Sequence, residues 1–277
     1  MGGAILCAVG PWGHSMTLYQ DKAKERIKKA LRKFKPIAEQ ARRNALNEAD
    51  TRLIVTAIMD EALGWNTFTD ISSEQLIKGQ YCDYAIKREG GYLAIVEVKP
   101  AGTSLSSKHL YQAVSHAANE GVDWIILTNG ADWQLYRVIF GKPVTHDLVF
   151  EVSLLDEETR PAKKADLLYL LSREAQRGGD LDAYYKKKCA LCGTNIAKVL
   201  LGEKMLKALR LEMRGLTEHS ASPQELATLL VEEVLRPDVQ GDDTARLIRR
   251  AAAHSRAAAS KESAPRSEAT PPPALGA

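Results

Sequence analysis

At 277 residues, 26% charged and 45% hydrophobic, the chain is long enough to bury a full core in one or two domains and has the balance of an ordinary globular protein. Its net charge of +3 is too small to argue for a nucleic-acid partner by itself. No apolar run is long enough to span a bilayer, which excludes a membrane-embedded class on sequence grounds.

Met1 to His14 lacks the basic start of a signal peptide, and Leu6 stands where N-myristoylation needs Ser or Thr. Residues 1–16 are therefore expected to be a non-structural extension, with Met16 as the true start, and the protein is expected to be cytoplasmic. Cys7, Cys82, Cys189 and Cys192 are too few and too scattered for a disulfide framework. Cys189 and Cys192 make a C-x-x-C pair without the second pair that structural zinc requires.

In chain order, Leu18 to Ala62 reads as helix interrupted near Pro36. Its first half, from Asp21 to Arg43, is rich in Lys and Arg. That basic face suits phosphate neutralisation, and equally suits a solvated helix surface. Gly64-Trp65-Asn66 ends the helical pattern. Tyr81 to Lys87 alternates as a half-buried strand does, and Tyr92 to Lys99 is nearly continuous in apolar residues, as in a strand covered on both faces. A helix capped by Ser104 or Ser106 should run to Glu120, with Gly121 as its stop. Val122 to Thr128 and Trp133 to Val138 read as strands joined by the Asn129-Gly130 turn, and residues 144–155 hold one or two more. Helices are then predicted over 165–177, 195–214 and 223–235, the last opened by a Ser222/Glu225 capping box. The expected layout is an α/β domain over 17–156, a helical region over 157–252 and a disordered tail over 253–277.

The chemistry concentrates in one hairpin. With Glu89-Gly90-Gly91 as a three-residue loop, paired residues sum to 180, and Asp83 faces Glu97. Opposed residues share a face with Cβ atoms about 5 Å apart, so two carboxylates there repel unless something neutralises them. Lys99, two residues beyond Glu97, points the same way. Oxygen-only ligation suits Mg²⁺, with Mn²⁺ as a substitute, which activates water and polarises a phosphodiester. Lys99 suits stabilisation of the developing negative charge. Glu48, at the edge of the apolar face of the preceding helix, is a candidate to complete the metal site, or simply an acid in the first turn after the N-cap Asn47. The bland alternative for the trio is a surface charge cluster in which Glu97 pairs with Lys99.

The stretch from Glu48 to Val138 resembles the N-terminal nuclease domain of type I restriction enzyme R subunits, within the PD-(D/E)xK superfamily. The resemblance rests on Asn47-Glu48-Ala49-Asp50-Thr51, Leu63-Gly64-Trp65, Cys82-Asp83-Tyr84-Ala85-Ile86, Ile95-Val96-Glu97-Val98-Lys99, Tyr111-Gln112-Ala113 and Leu127-Thr128-Asn129-Gly130 with Trp133 to Tyr136. It implies a restriction-endonuclease-like core, a mixed sheet flanked by helices. It also implies metal binding by Asp83 and Glu97, a catalytic Lys99, a helix acid Glu48 and a functional Gln112. The family's tyrosine four residues after that glutamine is His116 here, a departure that weakens the carry-over for Gln112. No G-x-x-x-x-G-K phosphate loop is present, so the motor that follows this domain in R subunits is missing.

The expected function is a free-standing Mg²⁺-dependent nuclease, a DNA endonuclease first and an RNA-directed enzyme second. The alternative is a non-cleaving nucleic-acid-binding or partner-binding module that keeps the fold. The C-terminal helices are expected to dimerise, to touch nucleic acid or to hold another restriction subunit.

Overall fold

The alternating and apolar segments between residues 71 and 153 build a six-stranded sheet in which strand order follows chain order. The strands are β1 (Ile71–Ile77), β2 (Gln80–Arg88), β3 (Gly91–Val98), β4 (Trp124–Thr128), β5 (Asp132–Ile139) and β6 (Thr145–Ser153). This computed structural model describes residues 13–77, 80–88, 90–240, 246, 248 and 249. Neighbouring strands are antiparallel except β3 and β4, which run parallel. A parallel pair needs a crossover, and α3 (Leu110–Glu120) supplies it. Gly121 ends that helix with φ of 66°, a left-handed turn that glycine adopts without a Cβ penalty.

Both faces of the sheet are covered, which explains the apolar continuity of β3. Val96 and Val98 join Val55, Ile58, Met59 and Leu168 in one core, whereas Ile95 and Leu127 join Leu110, Ala113 and Ala117 of α3 in the other. Glu97 lies between Val96 and Val98, so the pleat directs it to the side of Ile95. Among the flanking helices, α1 (Gly13–Arg43) and α2 (Glu48–Glu61) contribute Ile27, Phe34, Val55 and Met59 to the first core.

Helix α1 passes through Pro36 without a break, contrary to the interruption expected there. Phe34, Ala38 and Ala41 are buried on either side while Pro36 is exposed, so burial of the flanking face outweighs the hydrogen bond that proline cannot make. The real interruption is at residues 44–47, before Asn47 caps α2 by accepting from the Asp50 amide at 2.9 Å. Half of the basic residues of α1 between Asp21 and Arg43 pair with acids elsewhere in the protein: Lys24 with Asp166, Arg26 with Glu174, Lys33 with Glu61, Lys35 with Glu157 and Arg42 with Asp132.

The chain divides into two compact units between Tyr185 and Lys186 rather than after residue 156. Helices α4 (Pro161–Tyr169) and α5 (Arg173–Gly178) belong to the first unit because Leu168, Tyr169 and Ala175, with Leu171 between the helices, are buried in the sheet's core. A further helix, α6 (Asp180–Ala190), stands where no helix is expected; its sequence has little apolar periodicity to betray it. In the second unit α7 (Gly193–Leu200), α8 (Glu203–Thr217) and α9 (Pro223–Leu229) gather around Leu201, Leu206, Leu226 and Ala227. The Ser222/Glu225 capping box forms as expected, with bonds of 2.7 and 3.2 Å. Residues 1–12 and the tail 253–277 lie outside the described residues.

Candidate active site

The β2–β3 hairpin reaches the expected register by a different route. Arg88 pairs with Gly91, which leaves two residues between the strands instead of three. A bulge between Ile86 and Lys87 then adds back the missing step, and Tyr84↔Val96, Ala85↔Ile95 and Ile86↔Ala94 all sum to 180. The paired ladder stops at Tyr84↔Val96, one step short of Asp83 and Glu97. The backbone ladder yields to a side chain at this point: the Val98 amide donates to Asp83 Oδ2 at 2.7 Å.

Lys99 follows the last residue of β3 and is fixed by its own backbone, whose amide donates to Thr128 O at 2.8 Å. Its ammonium lies 2.6 Å from Glu97 Oε1 and 3.7 Å from Glu48 Oε2. Glu48 is brought close because the Ala101 amide donates to Leu46 O at 3.1 Å, tying the end of β3 to the start of α2. One turn into α2, Arg52 Nη1 lies 3.4 Å from Asp83 Oδ1. Sequence reading did not single out Arg52. Its signal was the four-residue spacing from Glu48, which puts both side chains on one helix face.

Burial separates this group from a surface charge cluster. The side chains of Glu97, Asp83 and Lys99 are 7%, 11% and 17% exposed, while that of Glu48 is 41% exposed. Burial raises the Glu97 carboxyl above its ordinary range, and the charges of Asp83 and Glu48 add to this against the opposing bond from Lys99. Asp83 is raised chiefly by burial and also by Glu48, with the Val98 amide, Lys99 and Arg52 acting the other way. Burial works against the charge of Lys99, yet Glu97, Glu48 and Asp83 together hold it above its usual value. Three carboxylates face two cations, so the cluster is short of positive charge.

The structure thus assembles Asp83, Glu97, Lys99 and Glu48. Glu48 contacts the lysine, and among the described residues no group of three or more His, Cys, Asp or Glu side chains is gathered to hold a metal ion. Gln112 is exposed on α3, and no hydrogen bond or ion pair among the described residues links it to the cluster. His116, one turn further, is buried at 1% exposure, and neither ring nitrogen has a hydrogen-bond partner among the described residues.

The turn Asn129-Gly130 supports the site from behind. Asn129 Oδ1 accepts from the Ala131 and Asp132 amides, and its Nδ2 donates to Thr103 O at 2.8 Å and Asp132 Oδ2 at 3.0 Å. This locks the residue after Thr128, whose carbonyl holds Lys99. Comparison with protein-family models, with curated proteins and with solved structures returned no match.

Proposed function

We propose that Asp83, Glu97 and Lys99 are the hydrolytic centre of a Mg²⁺-dependent nuclease with a restriction-endonuclease-like core, acting on DNA. The observation that carries this reading is the buried pair of acids beside a backbone-anchored lysine at the end of a central strand. Such a placement is expensive for structure alone, since burying charges without full compensation destabilises a fold.

The residues fit a hard divalent cation. Glu97 Oε2 has no hydrogen-bond partner among the described residues, and Asp83 Oδ1 faces only Arg52 at the outer limit of a contact. Both are oxygen donors, and Mg²⁺ commonly takes one or two protein carboxylates and keeps several waters. Bound there, the ion would supply Lewis acidity and a more acidic water. The chain's own part is to hold and to balance charge. Asp83, clamped by the Val98 amide, fixes one donor, and Glu97 on the neighbouring strand fixes the other. Lys99 is anchored at the backbone by Thr128 O; by exchanging its ion pair with Glu97 for a phosphate oxygen it would meet the charge developing there. Glu48 and Arg52 set the charge around it.

A second reading, a non-cleaving binding module, draws on the Glu97–Lys99 ion pair, which gives the buried lysine an internal counter-charge. Matched DNA and RNA substrates incubated with the wild-type chain and Asp83→Asn, with Mg²⁺ or Mn²⁺, separate the readings. Metal-dependent cutting lost in the variant supports the nuclease and reports its polymer; binding without cutting by either chain supports the module.

A further inference from the structure

A second polar site lies in the first unit, apart from the carboxylate cluster. It is a cavity of about 420 Å³ lined by Trp65, Thr69, Asp70, Lys87, Leu93, Arg173, Gln176 and Arg177. That volume falls within the range of small-molecule sites, about 300–1,000 Å³. None of its residues belongs to the cluster around Glu97.

Its rim is rigid. Asn66 Oδ1 accepts from the Phe68 and Thr69 amides at 2.9 and 3.0 Å, and Asp70 Oδ2 accepts from the Asn66 amide at 3.1 Å. The Lys87 amide donates to Asp70 O at 2.7 Å, which fastens this loop to β2. The floor is Trp65, whose indole N–H is already satisfied by Leu171 O at 2.9 Å, beside Leu93.

The charge balance is uneven. Asp70 is the lone acid of the lining, and its carboxylate is engaged by the Asn66 amide, the Thr69 hydroxyl and Arg173 Nε at 3.3 Å. Holding Arg173 by Nε leaves the two terminal nitrogens of its fork without a partner among the described residues. Arg177 follows one helical turn later. Neither it nor the Lys87 ammonium has an acidic partner among the described residues. Three cations therefore converge on one cavity, against one carboxylate that is already engaged. The planar fork of arginine matches phosphate oxygens in pairs, and lysine adds a point charge.

We propose that this cavity binds a phosphate group carried on an organic ligand of mononucleotide size. The group comes either from a free nucleotide or from the backbone of a nucleic-acid strand. The claim does not depend on the nuclease reading.

The test is calorimetric titration of the full chain with deoxyadenosine monophosphate, and with a short single-stranded oligodeoxynucleotide that lacks terminal phosphates. Wild type is compared with Lys87→Ala/Arg177→Ala, both exposed positions whose loss should leave the melting temperature unchanged, and with Lys99→Ala. Mononucleotide binding should weaken about tenfold for each lost cation and persist in Lys99→Ala. If the oligonucleotide displaces the mononucleotide, and itself weakens in the double variant, the phosphate belongs to a strand. If the mononucleotide binds and is not displaced, the ligand is a free nucleotide. Absence of binding by both probes, or binding that the double variant leaves intact, overturns the proposal. Absence of cleavage by wild type, or equal cleavage by Lys99→Ala, with intact titration would sink the nuclease reading and leave this proposal standing, so the two claims fail separately.

Discussion

Asp83 takes the place of a backbone carbonyl for Val98: its Oδ2 accepts the Val98 amide at 2.7 Å across the strand pair, just where the β2–β3 ladder ends. One carboxylate is thus both a strand clamp and a member of the charged cluster. The two roles separate by substitution. Asp83→Asn keeps an oxygen that can accept the amide while removing the charge, whereas Asp83→Ala leaves a partly buried N–H unpaired. The alanine variant should lose about 1–3 kcal/mol of stability, and the asparagine variant should stay near wild type. Urea denaturation of both reads the difference, and equal losses would remove the clamp.

A divalent cation should stabilise this protein, because it compensates two acids that burial already holds above their ordinary range. At ten times its dissociation constant, Mg²⁺ should add about 1.4 kcal/mol to unfolding. Thermal melts with and without Mg²⁺ or Mn²⁺ measure this, and Glu97→Gln should abolish the shift. A shift that survives in the variant would place the ion elsewhere.

How much of this was legible in the sequence depends on the kind of signal. The β2–β3 register is readable because strand period and glycine-bearing loop both constrain a hairpin. Tyr84↔Val96, Ala85↔Ile95 and Ile86↔Ala94 keep the expected sum although the loop is one residue shorter than expected, because a bulge at Ile86/Lys87 restores the count. The break expected at Pro36 is absent because local propensity speaks for proline alone, while the burial of Phe34 and Ala38 is a tertiary fact. The polar stretch after Asp156 reads as a domain boundary and is a loop, yet α4 and α5 beyond it return to the sheet. Arg52 escaped notice because a basic residue on a helix has many uses, and only the fold brings it to Asp83. His116 stands out in the sequence only as a departure from the family's tyrosine, and packing alone shows it buried.

That histidine gives a pH dependence with a definite sign. Burial lowers the pKa of His116 below its ordinary value near 6.5. The unfolded chain therefore takes up the proton at higher pH than the folded chain does. The neutral ring's contribution is fully present above about pH 6.5 and is lost as pH falls below it. His116→Leu should raise stability by about 1–3 kcal/mol, since it removes two unsatisfied nitrogens. It should also flatten the loss of stability on acidification. Urea midpoints measured across that range check both effects, and an unchanged slope would mean the ring is solvated.

Gly64 is a point where a side chain would strain the backbone. Its φ is 76°, and a Cβ there would stand 2.8 Å from Arg26 Nη2. Arg26 in turn holds Glu174 through bonds of 2.6 and 2.9 Å and Ala62 O through one of 3.0 Å. Gly64→Ala should cost about 1–3 kcal/mol from backbone strain and displacement of that guanidinium. A thermal melt within error of wild type would contradict this geometry.

The central claim is tested most directly by cleavage of plasmid and single-stranded DNA with Mg²⁺ or Mn²⁺, wild type against Lys99→Ala. Removing one group that stabilises transition-state charge typically slows a reaction about 10²–10³-fold. Lys99 is anchored through its backbone, so the alanine variant should fold and still bind DNA. Metal-dependent cutting by wild type, reduced by that order in the variant, is the result the account predicts. Equal cutting by both chains, or no cutting by wild type on any substrate with either metal, would contradict it.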